Sequence, residues 1–210
     1  MTMKTLLLIL TLLSVSSSFA ETRYCDDIKR IDQLPHLNSD QFSRFIEDKK
    51  KVDRILVSKD RRELYLLQDD VVLKTYKVAF GLQPNGHKQF EGDSKTPEGL
   101  YYIDSKNPQS AYYLSLHVSY PNKADAEYAR SQGKSPGGNI MVHGFPNPNR
   151  PEFLQFVTGF HPYNWTAGCV AVTNEEIREI YSTVDVGTAI EICKSSTQPQ
   201  PPSSSQTKKP

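Results

Sequence analysis

Met141-Val142-His143-Gly144 and Thr166-Ala167-Gly168-Cys169-Val170-Ala171-Val172 are the two stretches on which the reading of this chain turns. Gly138-Asn139-Ile140-Met141-Val142 leads into His143, and Val170-Ala171-Val172 follows Cys169, so each reactive side chain ends an apolar, strand-like run beside a glycine. A cysteine is nucleophilic only as its thiolate, and a nearby histidine is the usual device for generating one near neutral pH. Glycine lets a substrate backbone approach closely, and its amide can face a developing oxyanion. Nucleophile, base and exposed amides on rigid strands are the parts of an acyl-transfer site.

Outward from these stretches the chain is mostly strand. Arg54-Ile55-Leu56-Val57-Ser58, Glu63-Leu64-Tyr65-Leu66-Leu67 and the run from Val71 to Phe80 are rich in β-branched and aromatic residues. Polar pairs at Lys59-Asp60 and Asp69-Asp70 separate them, which predicts a meander. Gly81 to Gly99 reads as a long loop closing on Thr96-Pro97-Glu98-Gly99, with further strands at Leu100–Ile103, Tyr113–Val118 and Thr188–Ile192. Short helices are expected over 39–51, capped by Ser39 or Asp40, over 122–132, over 151–157 and after Thr173, where Thr173-Asn174-Glu175-Glu176 has capping-box spacing. The fold class expected is mainly β, with a few short peripheral helices.

Residues 1–20 read as a secretory signal peptide. Lys4 supplies the positive region, Leu6 to Leu13 the apolar stretch, and Ser18-Phe19-Ala20 a small-x-small cleavage site. The apolar stretch is short for a membrane span, so an uncleaved anchor is the weaker alternative. The expected organisation is then an N-terminal extension with one helix over 21–51, a catalytic domain over 52–193 and a disordered tail over 194–210, rich in Ser, Gln, Pro and Lys. Export to the periplasm or cell envelope follows, with no membrane span in the mature chain. Lys and Arg number 25 against 24 Asp and Glu, with no basic stripe, which excludes nucleic acid as the expected partner.

Three cysteines in an exported chain leave either a free thiol or an intermolecular bridge. A Cys25–Cys193 bridge would pin both ends of the domain and leave Cys169 as the thiol. The alternative is that Cys25 and Cys193 are unpaired and Cys169 is a buried core residue. His117, inside a strand pattern, and His161, before Pro162, read as structural. Cys169, His143, His117 and His161 lack the short spacings of a zinc site, and no G-x-S-x-G elbow marks a serine hydrolase. Trp165 reads equally as pocket wall or core, and the tyrosine pairs at 101–102 and 112–113 as packing.

From about Val52 to Ile192 the chain resembles the L,D-transpeptidase catalytic domain of bacterial cell-wall enzymes. The motifs that carry the likeness are Met141-Val142-His143-Gly144, Thr166-Ala167-Gly168-Cys169-Val170, Asn174 five residues beyond the cysteine, and Thr96-Pro97-Glu98-Gly99 upstream of a strand. The chain departs from many members at Ala167, where they have His, and at Ala171, where they have Arg. It is closer to a branch with Trp-Thr-x-Gly-Cys. The resemblance implies a β-sandwich or barrel and a peptidoglycan stem tetrapeptide as substrate, cleaved between an L-centre and terminal D-Ala. Cys169 is then the nucleophile and His143 the base, oriented by the carbonyl of Gly144. Amides of Gly168 and Cys169 form the oxyanion site, and Trp165, Thr166 and Asn174 touch the substrate. It implies no metal and no organic cofactor. The acyl group would pass to an amine on a second stem or an attached wall protein; the alternatives are a hydrolase on the same scaffold and a non-catalytic wall-binding module.

Overall fold

The computed structural model of the chain describes residues 25–149 and 164–194. The signal peptide expected over 1–20, the helix expected over 151–157, His161 and the tail beyond residue 194 lie outside the described residues. What is described is mainly β. Eight strands, β1 Arg54–Ser58, β2 Glu63–Gln68, β3 Val71–Lys77, β4 Gly99–Ser110, β5 Tyr113–Val118, β6 Met141–His143, β7 Val170–Ala171 and β8 Ala189–Cys193, form one sheet. Helices α1 Ser39–Glu47, α2 Lys123–Ser131 and α3 Asn174–Thr183 accompany it.

The strand order is β3-β2-β1-β8-β4-β5-β6-β7. The neighbours are antiparallel except for two parallel pairs, β1 with β8 and β6 with β7. The sheet curls until its two ends meet. Beyond β3 the chain continues to Ala79, which exchanges two backbone hydrogen bonds of 2.9 Å with Ala171 of β7. This isolated bridge places the strand after Cys169 between two partners, β6 and the Ala79 segment.

The core follows from strand alternation. Ile55, Val57, Leu64, Leu66, Ile103, Leu116, Val142, Val170, Ile190 and Ile192 point inward, joined by Phe42 and Phe45 of α1 and Ile177 and Ile180 of α3. The opposite faces of β1 to β3 are also apolar, with Leu56, Tyr65, Leu67 and Val72 in a second cluster under Ile31 and Leu34. That second layer explains the unbroken apolar run Leu64 to Leu67, since a strand covered on both faces has no need of polar alternation. Each such leucine, fully buried, contributes on the order of 1.5–3 kcal/mol. The segment that covers them is tied down at Cys25, whose sulfur is bonded to that of Cys193, with the Cα atoms 5.6 Å apart.

Two local readings are revised. Helix α1 is capped by Asn38 rather than Ser39 or Asp40: its side chain accepts from the Gln41 amide at 2.9 Å while Gln41 Oε1 accepts from the Asn38 amide. It ends at Glu47, before the lysines. Strand β4 runs to Ser110, well past Ile103, through Asp104-Ser105-Lys106-Asn107-Pro108-Gln109. This polar half is mostly exposed; it is held by pairing with β5 and by Lys106, whose ammonium donates to the Tyr181 and Val184 carbonyls at 2.6 and 2.8 Å, so its composition carries no core signal. No helix among the described residues is long and apolar enough to cross a membrane.

Candidate active site

Strands β6 and β7 bring the two singled-out stretches together. Val142 lies opposite Val170 and His143 opposite Ala171, so Cys169, one residue earlier, is in step with Met141. Val142 and Val170 are wholly buried in the core. Met141, His143, Cys169 and Ala171 therefore share the other face. His143 and Cys169 are diagonal neighbours there; a strand spacing of ~4.8 Å and a two-residue step of ~6.6 Å put their Cα atoms about 8 Å apart. Both line one cavity of about 560 Å³.

The turn before the nucleophile is fixed by one hydroxyl and one glycine. Thr166 Oγ1 donates to the Cys169 carbonyl at 2.8 Å and accepts from the Gly168 amide at 3.1 Å. Gly168 has φ +140°, and a Cβ there would lie 2.6 Å from the Lys95 carbonyl oxygen, so only glycine fits. The Gly168 amide, expected at the oxyanion site, is thus engaged by Thr166. The Cys169 thiol is half-buried and faces the Asn139 carbonyl at 3.5 Å. Burial pushes its pKa up, against the opposing pull of the Met141 backbone N–H and the Lys88 charge. Lys88, a residue the sequence reading passed over, is buried and donates to the Phe90 carbonyl and to Asp93 Oδ1, each at 2.8 Å.

His143 is buried, and its Nδ1 lies 2.7 Å from the Gly144 carbonyl oxygen. A carbonyl can only accept, so Nδ1 carries the proton and Nε2 is left bare in the neutral ring. Burial lowers its pKa to about 4, with the Gly144 hydrogen bond opposing. The ring packs against Tyr112, 4.6 Å away by centroids and tilted, and against Trp165, 5.5 Å away and edge-on. Gly144 is required by close approach: a Cβ there would meet Asn174 Oδ1 at 2.5 Å and the Tyr112 carbonyl at 3.2 Å.

The other expected contacts divide. Trp165, Thr166 and Ala167 line the cavity with Asn107, Ser110 and Tyr112. Asn174 is absent from that lining; its Oδ1 accepts from the Phe145 amide at 2.8 Å and so braces the chain just past His143. Ala171 is fully buried against Ala79, Phe145 and Trp165, so a longer side chain there would have to displace an aromatic ring. His117 pairs with Asp104 at 2.6 Å, away from this cavity. No group of three or more His, Cys, Asp or Glu among the described residues could hold a metal ion.

The L,D-transpeptidase catalytic domain (YkuD) family model matches residues 52–192. Solved structures similar to the chain include the helical cell shape determining protein Pgp2 from Campylobacter jejuni, at 24% identity, covering 74% of this chain and 56% of that one, TM-score 0.48. Another is Bd1075 of Bdellovibrio bacteriovorus, at 23% identity, covering 69% and 49%, TM-score 0.45. A third is the L,D-transpeptidase from Xylanimonas cellulosilytica, at 14% identity, covering 68% and 61%, TM-score 0.44. The chain spans about half to three-fifths of the length of these structures. No curated protein matches it.

Proposed function

Because the chain belongs to the L,D-transpeptidase catalytic-domain family, we propose that it is an exported cysteine acyltransferase acting on peptidoglycan stem tetrapeptides. The observation that carries this reading is one cavity lined both by a half-buried thiol, Cys169, and by an imidazole whose bare Nε2 is set by Gly144.

In this mechanism the Cys169 sulfur attacks the carbonyl carbon of the bond between the L-centre and D-Ala, and its proton passes to His143 Nε2. The resulting oxyanion is met by the Cys169 amide, since the Gly168 amide already serves Thr166. Such a donor is worth about 3 kcal/mol to the transition state. Collapse breaks the C–N bond, and D-Ala leaves with the proton from His143. An amine acceptor then attacks the thioester, gives its proton to His143, and the thiol is restored as the acyl group departs.

Incubation of the purified protein with stem tetrapeptides, followed by mass spectrometry, tests this. A cross-linked product with loss of D-Ala is expected, abolished in Cys169→Ala. A shortened stem alone would assign hydrolysis instead of transfer, and unchanged substrate would sink the reading.

A further inference from the structure

The tip between β4 and β5 is built more firmly than a surface hairpin requires. Tyr113 has φ +67°, a left-handed conformation that costs a bulky residue on the order of 1 kcal/mol or more. Asn147 holds this conformation from the far side of His143 in the sequence. Its Oδ1 accepts from the Tyr113 amide at 3.0 Å, its Nδ2 donates to the Ser110 carbonyl at 3.1 Å, and its own amide donates to the Ala111 carbonyl at 3.0 Å. Arg178 of α3 adds a second tie, donating from Nε and Nη2 to the Tyr113 hydroxyl at 3.2 and 2.9 Å.

What the tip carries is Tyr112. Its ring centroid lies 4.6 Å from that of His143 and 6.1 Å from that of Trp165, and its carbonyl accepts the Gly144 amide at 3.2 Å. The imidazole is therefore covered on one side by Tyr112 and met edge-on by Trp165, with Nδ1 tied to Gly144. Strain at Tyr113 and three hydrogen bonds at Asn147 have one common product, the placement of the Tyr112 ring.

We propose that Tyr112 is a positioning residue for His143, and that Asn147 and Arg178 latch the hairpin tip in the conformation that holds it there. This rests on the reading of His143 as the general base. The Tyr112 ring keeps water off the imidazole and keeps Nε2 aimed into the cavity. The titratable groups around that ring, among the described cavity-lining residues, are the Cys169 thiol and the Tyr112 phenol.

The test is an NMR titration of the His143 imidazole in full-length protein, alongside kcat and KM on stem peptide. In the wild type the ring stays neutral down to about pH 4. Tyr112→Phe, which keeps the ring, keeps that midpoint. Tyr112→Ala and Asn147→Ala move it up by a unit or more toward the ordinary 6.5, and lower kcat by about ten- to a hundredfold with little change in KM. An unmoved midpoint in a folded Tyr112→Ala protein overturns the inference; should that variant not fold, an unmoved midpoint in Asn147→Ala does so. Midpoints that move as stated in a protein with no acyl transfer would uphold the positioning role and remove the proposed reaction.

Discussion

His143 and Gly144 are joined through their own side chain and backbone, Nδ1 to carbonyl oxygen at 2.7 Å. The base is thus oriented by its immediate successor, and that successor must be glycine because Asn174 and the Tyr112 carbonyl crowd its Cα. With His143 lowered to about 4 and Cys169 raised, the pair rests as neutral imidazole and neutral thiol at pH 7. A preformed thiolate–imidazolium pair would need the opposite shifts.

Alkylation by iodoacetamide reads this state directly. The rate at Cys169 is expected to be low at pH 5–6 and to climb steadily above pH 7, as the thiol ionises. A plateau of full reactivity already reached near pH 5 would show an ion pair and overturn the neutral assignment.

The same histidine makes stability depend on pH. Its folded pKa lies below its unfolded value, so between pH 6.5 and about 4 the unfolded chain binds the extra proton and stability falls as pH falls. At 1.36 kcal/mol per unit the loss across that window is about 3 kcal/mol. The carboxyls of Asp93 and Asp125 are also lowered, by hydrogen bonds and ion pairs that outweigh their burial, and their contribution is lost only further down, below their ordinary 3.8. Urea midpoints measured from pH 7 to 4 should therefore drop in the wild type and drop less in His143→Gln. Equal slopes would place the loss elsewhere.

Gly168→Ala should damage both stability and turnover. The methyl group meets the Lys95 carbonyl at 2.6 Å in a backbone conformation of φ +140°, and strain of this kind costs about 1–3 kcal/mol. Thermal denaturation and the stem-peptide assay read the two effects; wild-type values in both would mean the turn is looser than described.

Reduction of the Cys25–Cys193 bond removes a link across a sequence separation of 168 residues. In the chain-entropy model such a link is worth about 5 kcal/mol. A double Cys25→Ser, Cys193→Ser variant should melt well below the wild type, and unreduced denatured wild type should show one free thiol per chain. Three free thiols would refute the bridge.

The strands were legible where buried apolar side chains mark the run, as at Arg54–Ser58 and Tyr113–Val118. They were illegible in the Asp104–Gln109 part of β4, whose side chains are polar and mostly exposed and carry no alternation. His143 and Cys169 stood out because each combined a reactive group, a glycine and a strand end. Tyr112 did not, since nothing in a Tyr-Tyr pair distinguishes a ring packed against an imidazole from one packed in a core. Asn174 was visible as a position in a motif, but its use, bracing the Phe145 amide, depends on a long-range contact that spacing does not encode.

The parallel pairing of β6 with β7 has an evolutionary corollary. Two parallel neighbours cannot be joined by a tight hairpin, because the chain leaves β6 at one end and enters β7 from the opposite end. Base and nucleophile are locked in register by a backbone ladder that is indifferent to most of what the connection between them contains. Apart from Gly144, Asn147, Trp165, Thr166 and Gly168, which the site itself fixes, the sequence of that connection is free to be lengthened, shortened or exchanged, retuning what is admitted to the cavity while the reacting pair stays in place. Innovation in this scaffold is expected to concentrate in that connection.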